Sequence, residues 1–509
     1  MDSVQRLVVL PDEPIAHINP HLHGHFAEHL GELVYPGIFV GSDSSIANTD
    51  GIRDDVVAAL KPLEIPVLRW PGGCFADTYS WRDGIGPRER RAKRVNVHWG
   101  MAEETNHFGT HEFVAFCRAI GAEPYFAANL GSGAPSEMRD WIEYCNFDGP
   151  SALADERRAN GDAEPYRIKY WGIGNENWGC GGNMSPQSYA EIFARYRTFA
   201  HSYPGAPIEA IACGPSGPDW NWTERFFETL GEHRWGMTNA FAGHYYCGTA
   251  GTATEYTDEQ WLELLARAGA VEGIITGHRT LMDQFDPERK IKFFLDEWGA
   301  WHPVEKGKPG GGLYQQNTIR DACVAAISLD VFHNHADKVV MANIAQVINV
   351  LQSVLLVEGD RVIKTPTYHA FDLYRPHKGG QAVRLINTSE DLTDGGASAD
   401  HCRSCFRYKQ PYMLKVVQGS ASLKDGVLCV TAVNAHPGQA IELNLEIVSG
   451  QLDTVEVVTL DSDDIHAHNT FDEPDAVTLS SPTTIEADGN TVTVQVPSAG
   501  IVRILGRLV

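Results

Sequence analysis

The sequence predicts an α/β fold: a (β/α)8 TIM barrel followed by a C-terminal all-β sandwich that resembles a jelly roll. Two observations carry this prediction. From about residue 18 to residue 380, short apolar runs alternate with amphipathic helical segments, which is the pattern of repeated βα units. After about residue 380, short strands of alternating polarity follow one another between turns rich in Gly, Asn, Asp and Pro, which is typical of a sandwich. We therefore expect a barrel over 18–380 and a sandwich over 381–509, which the N-terminal run 1–17 joins as a further strand.

The barrel prediction depends on eight strand candidates. Each is short and nearly continuously apolar toward its N-terminal side, as expected of parallel strands that are buried on both faces. The candidates are HLHGHF (21–26), PVLRWPGG (66–73), EPYFAANLG (123–131), RIKYWGIGNE (167–176), IEAIACGPSG (208–217), NAFAGHYYC (239–247), KIKFFLDEWG (290–299) and KVVMANIAQVIN (338–349). An open doubly wound sheet is the alternative fold. It usually has fewer strands and a GxGxxG turn after the first one, whereas this sequence has HLHGHFAEHLG there.

Amphipathic helical segments separate the strand candidates. Three of them are GTHEFVAFCRAIG (109–121), SPQSYAEIFARYRTFA (185–200) and TDEQWLELLARAG (257–269). In the second, Ser185 fits the N-cap position and Pro186 fits the first turn. A helix after each strand is what a (β/α)8 barrel requires.

The composition excludes several classes of partner. The 509 residues carry a formal net charge of −25, which repels the phosphate backbone of nucleic acids. The sequence has no apolar run of about 18 residues, so it predicts no membrane-spanning helix. The N-terminal stretch MDSVQRLVVLPDEPIAHI has an early Asp and only a short apolar run, which is not the pattern of a secretory signal. We expect a cytoplasmic protein without nucleic-acid or membrane partners.

The ten cysteines predict reduced thiols rather than a disulfide framework. Cys117, Cys213 and Cys323 lie in apolar segments, where Cys packs as a small hydrophobic residue. Cys402 and Cys405 form a lone CxxC. A structural zinc site needs two more ligands at suitable spacing, and no second pair appears. We therefore expect two reduced thiols there, in a polar loop.

Polar side chains collect at the C-terminal ends of the predicted strands, where barrel enzymes carry their active sites. Glu176 ends the fourth strand and Glu297 ends the seventh, so their side chains are expected to face each other across the barrel mouth. The neighbouring Asp296 should point away from Glu297 into the barrel wall, because side chains alternate along a strand. The other candidates at strand ends are Glu28, Arg69, Cys74, Asp77, Asn129, Asn175, His244, Tyr245, Tyr246, Asn343 and Gln346.

Two facing carboxyl groups fit the cleavage of a glycosidic bond. That reaction needs one protonated acid for the leaving oxygen and one carboxylate for the anomeric carbon. Two like charges at close range also raise the pKa of one of them, which keeps the acid protonated near neutral pH. The surrounding Asn, Tyr, His, Arg and Gln side chains can bind hydroxyl groups. Trp99, Trp178 and Trp301 are expected in loops at the mouth, where they would shape the side that holds the leaving group.

Two other functions fit parts of the sequence. His21, His23 and His25 alternate on the first predicted strand, as the zinc ligands of a metal-dependent amidohydrolase would. Such a site also needs an Asp at the end of the eighth strand, where this sequence has Asn343 and Gln346. We therefore expect histidines that are hydrogen-bonded in the barrel floor, and no metal. A non-catalytic carbohydrate-binding protein is the other alternative, but it would tend to lose one of the two glutamates, and both are present.

Several motifs together resemble one glycosidase family. GIGNENWG and FFLDEWGAW, with FAEHLG, RWPGGCFADTYSWRDGIGP and NHFGTHEF, are similar to glycoside hydrolase family 51, the α-L-arabinofuranosidases, over nearly the whole chain. The resemblance implies a retaining double displacement in which Glu176 is the acid/base and Glu297 is the nucleophile. It further implies that the residues in contact with the sugar, or supporting those contacts, are Glu28, Arg69, Asn175, His244, Tyr246 and Gln346. Cys74 stands where many members have Asn, and a thiol is a weaker hydrogen-bond partner for the sugar than an amide.

The resemblance implies an exo-acting enzyme that releases terminal arabinofuranosyl residues from arabino-oligosaccharides, such as fragments of arabinan or arabinoxylan. Two carboxyl groups supply all the proton and nucleophile chemistry of that reaction, so no cofactor is expected. The family also implies a homo-oligomer, often a hexamer. Some relatives act on xylosides, galactofuranosides or β-glucans, and these activities stay open as the alternative.

Overall fold

A closed barrel and a β-sheet domain make up the part of the chain that a computed structural model describes, residues 4–393 and 412–509. The segment 388–405, which the sequence predicts as a long polar loop, lies mostly outside the described residues, and so do Cys402 and Cys405. The expectation of two reduced thiols in that loop therefore stays a prediction.

Eight parallel strands pair in chain order and close into a barrel. Strand β1 (Val4–His17) precedes them. The barrel strands are β2 (Gly24–Phe26), β3 (Val67–Trp70), β4 (Glu123–Ala128), β5 (Tyr170–Ile173), β6 (Glu209–Ser216), β7 (Ala240–Gly248), β8 (Lys292–Ala300) and β9 (Val339–Ala345). Each of the eight predicted strands is present, and the predicted TIM barrel is confirmed.

Helices alternate with the barrel strands. They are α1 (Asp54–Leu60), α2 (Thr110–Ile120), α3 (Pro135–Asn146), α4 (Ala152–Ala159), α5 (Pro186–Phe199), α6 (Trp220–Leu230), α7 (Asp258–Gly269), α8 (Val271–Phe285), α9 (Ile319–Asn334) and α10 (Pro366–Tyr374). The three predicted helices are α2, α5 and α7. The side chain of Ser185 caps α5 by accepting a hydrogen bond from the backbone N–H of Ser188, and Pro186 lies in the first turn, as the sequence predicts. Among the described residues, no helix is long and apolar enough to cross a membrane.

Apolar side chains fill the lower part of the barrel. Val67, Tyr170 and Ala240, which begin β3, β5 and β7, form one buried cluster with Phe294 and Met341. This layer closes the N-terminal end of the barrel to water. The candidate residues lie at the opposite, C-terminal ends of the strands.

The histidines of the first predicted strand do not share one face. Residues Pro20–His23 form a 3-10 turn, and the strand begins only after it. The Nε2 atoms of His23 and His333 lie 3.0 Å apart, and His25 Nδ1 lies 3.2 Å from the carbonyl oxygen of His23. Burial lowers the pKa of His25 to about 3, so this ring is neutral. The predicted alternation of His21, His23 and His25 is wrong because the turn interrupts the strand, while His23 and His25 are hydrogen-bonded as expected.

The other domain is, in its described part, a nine-stranded mixed sheet. Besides β1, its strands are β10 (Gln381–Asn387), β11 (Val417–Lys424), β12 (Val427–Asn434), β13 (Ile441–Ile447), β14 (Leu452–Leu460), β15 (Thr483–Glu486), β16 (Thr491–Val496) and β17 (Ile501–Leu508). Their order is β15-β14-β17-β12-β11-β10-β1-β13-β16. Strands far apart in this order, such as β14 and β16, contribute to one apolar core, so the sheet folds over on itself as the two layers of a sandwich do. The predicted all-β C-terminal domain is confirmed.

Helix α9 joins the barrel to the sheet. Its Asp330 accepts hydrogen bonds from Ser420 Oγ at 2.7 Å and from Thr431 Oγ1 at 2.8 Å, and both hydroxyl groups lie on sheet strands. All three side chains are buried. A buried polar network that is fully hydrogen-bonded fixes one relative arrangement of the elements that carry it.

Candidate active site

The two predicted glutamates meet at the C-terminal mouth of the barrel. Glu176 lies just after the end of β5, and Glu297 lies within β8. One oxygen of each carboxylate and one ring nitrogen of His244 all lie within 4.8 Å of one another. Glu297 is buried, whereas Glu176 is partly exposed. Solvent therefore reaches the carboxylate of Glu176 but not that of Glu297.

A strained turn presents Glu176. Its φ of 43° is in the left-handed region, and Gly174 before it has a φ of 85°. A non-glycine residue in this region costs about 1–3 kcal/mol and persists only where its surroundings hold it. Asn177 helps to hold the turn in this conformation, because its Nδ2 donates to the carbonyl oxygen of Gly181 at 2.8 Å. Asn177 therefore shapes the turn rather than facing the ligand.

Asp77 ties the loops of three neighbouring strands together. Its Oδ1 accepts hydrogen bonds from the backbone N–H groups of Leu130 at 2.8 Å and Gly131 at 2.6 Å. Its Oδ2 accepts from the backbone N–H of Asn175 at 2.8 Å. Burial raises the pKa of Asp77 to about 7. The sequence places Asp77 at a strand end, but it does not reveal that this carboxylate holds the loops after β4 and β5 in place.

At about pH 8.5, where a carboxyl group with a pKa of about 7 is ionised, we expect Asp77→Asn to lower the stability of the protein by about 2–4 kcal/mol, because hydrogen bonds to a charged group contribute about 1.5–3 kcal/mol each. One carboxylate oxygen becomes an NH2 group that faces N–H donors and cannot accept from them. Scanning calorimetry should show a clearly lower Tm. Asp140→Asn, which removes surface ion pairs to Arg82 and Arg139, is the control and should change stability by less than about 1 kcal/mol. Equal Tm values for the two variants would contradict the role of Asp77.

A β-bulge turns Asp296 into the barrel. Gly243 pairs with Leu295 and His244 pairs with Glu297, so Asp296 has no partner on β7. Its Oδ2 accepts a hydrogen bond from Tyr125 Oη at 2.8 Å. The prediction that Asp296 points into the barrel wall, away from Glu297, is wrong, because a bulge breaks the alternation of side chains along a strand.

His244 lies at the centre of three carboxylates. Its Nδ1 lies 2.9 Å from Glu176 Oε1 and 3.4 Å from Glu297 Oε2, and its Nε2 lies 3.0 Å from Asp296 Oδ1. Burial alone would lower the pKa of His244, but Glu297, Asp296 and Glu176 together raise it to about 10. His244 is therefore a cation at neutral pH, and it supports both glutamates.

Glu297 is held at both oxygens. Arg69 Nη1 donates to Oε1 at 2.6 Å, and Tyr246 Oη donates to Oε2 at 2.9 Å. Burial and the Glu176 carboxylate raise the pKa of Glu297, whereas His244 and Arg69 lower it. These donors fix the direction of the carboxylate, and the two cations favour its charged form.

Glu28 and Gln346 form the other end of the site. Glu28 Oε1 accepts hydrogen bonds from the backbone N–H of Phe75 and from Trp99 Nε1, both at 2.9 Å. Gln346 Nε2 donates to Glu28 Oε2 at 3.3 Å. Burial, together with the charge of Glu297, raises the pKa of Glu28 to about 7. A Cβ on Gly73 would meet Glu28 Oε2 at 2.4 Å, so the PGG turn has room for the carboxylate only because it lacks side chains.

Several buried polar atoms of this site have no hydrogen-bond partner among the described residues. Arg69 Nε and Asp296 Oδ1 are two of them, but each faces an oppositely charged group, whereas Asn175 Nδ2 and Gln346 Oε1 do not. The other end of the Asn175 amide is fixed, since Arg69 Nη2 donates to its Oδ1 at 2.6 Å. Buried polar groups in proteins are nearly always paired, so a free donor and a free acceptor here indicate a ligand that carries hydroxyl groups.

Cys74 forms a disulfide with Cys180, with the two Cα atoms 5.5 Å apart. Two expectations are therefore corrected: Cys74 is not a reduced thiol, and it has no S–H to donate to a sugar. The bridge joins the turn after β3 to the loop that follows Glu176. The other cysteines that the structure describes are free and buried, as predicted for Cys117, Cys213 and Cys323. The full set is Cys117, Cys145, Cys213, Cys247, Cys323 and Cys429.

The three predicted tryptophans differ in their contacts. Trp99 bonds to Glu28 as described above. Trp301 is 36% exposed, and its ring lies edge-on to Tyr246 with 5.0 Å between ring centroids, so it borders the nucleophile side of the mouth. Trp178 Nε1 donates to the carbonyl oxygen of Gly214 at 3.2 Å.

Three candidates at strand ends lie away from the glutamates. Asn129 holds its own loop, since its Oδ1 accepts from the backbone N–H of Ser132. Tyr245 Oη donates to the carbonyl oxygen of Arg267 on α7. Asn343 is buried against Gly24 of the neighbouring strand. Of the predicted set, the structure thus gathers Glu28, Arg69, Asn175, Glu176, His244, Tyr246, Glu297 and Gln346 at one pocket.

Comparisons with known proteins agree with this geometry. Residues 59–257 match the model of the α-L-arabinofuranosidase 1 domain, and residues 296–499 match that of the α-L-arabinofuranosidase C-terminal domain. An intracellular exo-α-L-arabinofuranosidase of Bacteroides ovatus is 39% identical over 495 residues, which cover 96% of this chain and 92% of that protein. The crystal structure of the GH51 arabinofuranosidase from Xanthomonas axonopodis is 38% identical with a TM-score of 0.92 and covers 99% of both chains. The arabinose complex of the Thermotoga maritima α-L-arabinofuranosidase is 30% identical with a TM-score of 0.85, covering 99% of this chain and 100% of that chain.

Proposed function

Because this chain belongs to the α-L-arabinofuranosidases of glycoside hydrolase family 51, we propose that it removes terminal α-L-arabinofuranosyl residues from oligosaccharides with retention of configuration. The observation that carries the proposal is the approach of Glu176 and Glu297, whose nearest carboxylate oxygens lie within 4.8 Å of each other. Retaining glycosidases hold their carboxyl groups about 5–5.5 Å apart, whereas inverting ones leave about 6.5–9.5 Å for a water molecule.

In the first step, a carboxylate oxygen of Glu297 attacks the anomeric carbon, and the bond from that carbon to the leaving oxygen breaks. Glu176 gives its proton to that oxygen, so the leaving sugar departs as a neutral alcohol. Arg69 and Tyr246 hold Glu297 in position for the attack. The product is an arabinosyl ester of Glu297 and an ionised Glu176.

In the second step, Glu176 takes a proton from water while the water oxygen attacks the anomeric carbon. The ester bond breaks, its electron pair returns to Glu297, and Glu176 is protonated again. His244 lies against both glutamates and remains a fixed positive charge between two groups whose charges alternate during the cycle.

Asn175 is suited to bind the sugar hydroxyl next to the anomeric carbon. Its free Nδ2 points a donor into the pocket beside Glu176, and Arg69 prevents the amide from turning over. A contact to the 2-hydroxyl can strengthen as the oxocarbenium-like transition state forms. Glu28 and Gln346 lie at the other end of the pocket, where they can bind the remaining hydroxyl groups, and Trp99 closes the pocket behind Glu28. A closed end supports exo action.

The Bacteroides ovatus relative is named intracellular, which supports a cytoplasmic location for this chain. The substrates would then be imported arabino-oligosaccharides rather than intact polymers. We also propose a homo-oligomer, a hexamer by resemblance to the family, and sedimentation of the purified protein would measure its size.

A panel of aryl glycosides tests the substrate. We expect kcat/KM on the aryl α-L-arabinofuranoside to exceed that on the β-D-xyloside, the β-D-galactofuranoside and the β-D-glucoside by about 10²-fold or more, because misplaced hydroxyl groups leave buried polar atoms unpaired. Proton NMR should show the α anomer of arabinose as the first product. A higher kcat/KM on any other member of the panel would replace the proposed substrate, and the β anomer as first product would refute the retaining mechanism.

A further inference from the structure

The disulfide lies directly beside the proposed acid/base. The Sγ atom of Cys180 is 3.5 Å from Glu176 Oε2. One ligand atom each from Cys74, Glu176 and Cys180 lies within 4.8 Å of the others, and all three residues are partly exposed. Cysteine sulfur and carboxylate oxygen are both among the donors that bind zinc in proteins. The three side chains therefore form a metal-ligand set whose two sulfurs are, in this structure, bonded to each other.

We propose that the dithiol form of Cys74 and Cys180, together with Glu176, is a binding site for Zn²⁺ or another thiophilic divalent cation, and that the disulfide form closes this site. A dithiol reductant supplies the two electrons and two protons that break the S–S bond, and it becomes a disulfide itself. Both cysteine sulfurs are then free to act as thiolate ligands.

The distances fit one tetrahedral ion. With Zn–S near 2.3 Å and Zn–O near 2.1 Å, a sulfur and an oxygen on the same tetrahedral zinc lie about 3.6 Å apart, and the observed distance from Cys180 to Glu176 is 3.5 Å. Two sulfurs on that ion lie about 3.8 Å apart. A Cα–Cα distance of 5.5 Å leaves room for the Sγ atoms to separate to that extent with little movement of the backbone. Since the residues are partly exposed, water can take the fourth position.

A second trio of possible ligands is a weaker candidate. Glu176, His244 and Glu297 also lie within 4.8 Å of one another. However, both ring nitrogens of His244 already face carboxylates, Nδ1 facing the glutamates and Nε2 facing Asp296. A ring in that arrangement presents no free nitrogen to a metal. Binding to this trio would also be the same in the oxidised and reduced proteins, which separates the two sites by experiment.

The inference about inhibition rests on the proposed function, whereas the inference about binding does not. A Glu176 carboxylate that is bound to zinc can neither give a proton to the leaving oxygen nor take one from water. The reduced, zinc-loaded protein should therefore lose about 10²-fold or more of its activity on substrates that need the acid. The oxidised protein should keep its activity at the same zinc concentration.

The experiment compares oxidised protein with protein reduced by a phosphine, each equilibrated anaerobically with micromolar ZnCl2 and freed of unbound metal. Bound zinc is counted by atomic emission, and activity is measured on the same samples before and after EDTA. We expect one more zinc per chain in the reduced protein, with an activity loss that EDTA reverses. Equal zinc content in the two redox states would overturn the proposal. Extra zinc without loss of activity would overturn the link to Glu176.

Variants assign the ions to residues. The double variant Cys74→Ser with Cys180→Ser should not bind the additional zinc ion after reduction. Its activity in the presence of zinc is compared with the activity of the same variant without zinc. Cys402→Ser with Cys405→Ser is the matched control, because it removes the two cysteines of the CxxC motif, and it should keep the extra zinc. If the Cys74→Ser, Cys180→Ser variant folds poorly, the control variant tests the site. Loss of the additional zinc from the Cys402→Ser, Cys405→Ser variant would refute the proposed site. If no form shows arabinofuranosidase activity, the zinc counts still test the site, and the proposed function fails separately.

Discussion

Replacing Glu297 with Gln should reduce kcat/KM by about 10⁴-fold or more on every substrate, including aryl arabinofuranosides with good leaving groups. An amide cannot attack the anomeric carbon, so no arabinosyl ester forms however easily the leaving group departs. The substitution is close to isosteric. Arg69 Nη1 can still donate to the amide oxygen, and the Tyr246 hydroxyl, which can also accept, can take a hydrogen bond from the amide NH2. The loss should therefore come from the chemistry rather than from a collapsed pocket, and the Tm should change little.

The matched control is Glu288→Gln, which changes an exposed glutamate that pairs with Lys290 and should leave kcat/KM within about twofold of the parent value. Mass spectrometry supplies a second readout. Parent protein quenched during turnover should carry a pentosyl group on the peptide that contains Glu297, and the Glu297→Gln variant should carry none. A variant that keeps a few per cent of the parent activity, or a label on another residue, would remove Glu297 from the nucleophile role.

The barrel and its two glutamates could be predicted from the sequence because both follow from local patterns. Strands that are buried on both faces read as short apolar runs, and eight such runs alternating with helices leave few other arrangements. The ends of those strands must meet at one mouth. Glu176 and Glu297 could therefore be paired across more than a hundred residues without any knowledge of the contacts between them.

The features that the sequence did not reveal depend on pairings between distant residues. Cys74 and Cys180 are 106 residues apart, and their spacing carries no sign that the turn after β3 and the loop after β5 bring the sulfurs together. The inward turn of Asp296 depends on a bulge between β7 and β8, which alternation along a single strand cannot show. Asp77 was visible as a polar residue at a strand end, but its role follows from backbone N–H groups of the next two loops.

The bulge between β7 and β8 also helps to explain how the site accommodates four neighbouring carboxylates. Glu28, Asp296 and Glu297 are buried near one another, and Glu176 completes the group. Arg69 and His244 are the cations that contact these carboxylates, and each contacts both Asp296 and Glu297. Burying like charges is costly unless they are paired. The bulge brings Asp296 within reach of both cations, which fixes them in place beside the nucleophile.

Replacing Glu176 with Ala should have an effect that depends on the leaving group. On arabino-oligosaccharides, whose leaving alkoxide needs a proton, we expect kcat/KM to fall by about 10²–10⁴-fold, the usual contribution of general acid catalysis. On an aryl arabinofuranoside with a good leaving group, kcat/KM reports only the first step and should fall much less. The second step still lacks its base, so the arabinosyl ester of Glu297 should accumulate and kcat should stay low.

Azide provides the decisive measurement on that variant, because it is a nucleophile that needs no base. It should raise the kcat of Glu176→Ala on the good substrate and yield an arabinosyl azide that retains the configuration of the substrate. The parent protein, whose Glu176 carboxylate is charged when the ester is present and repels an anion, should not respond. Asn177→Ala serves as the comparison, since it disturbs the same turn without removing the carboxylate, and its losses should not depend on the leaving group. Equal losses of kcat/KM by Glu176→Ala on good and poor leaving groups, with no azide effect, would remove Glu176 from the acid/base role and leave it as a residue that only shapes the pocket.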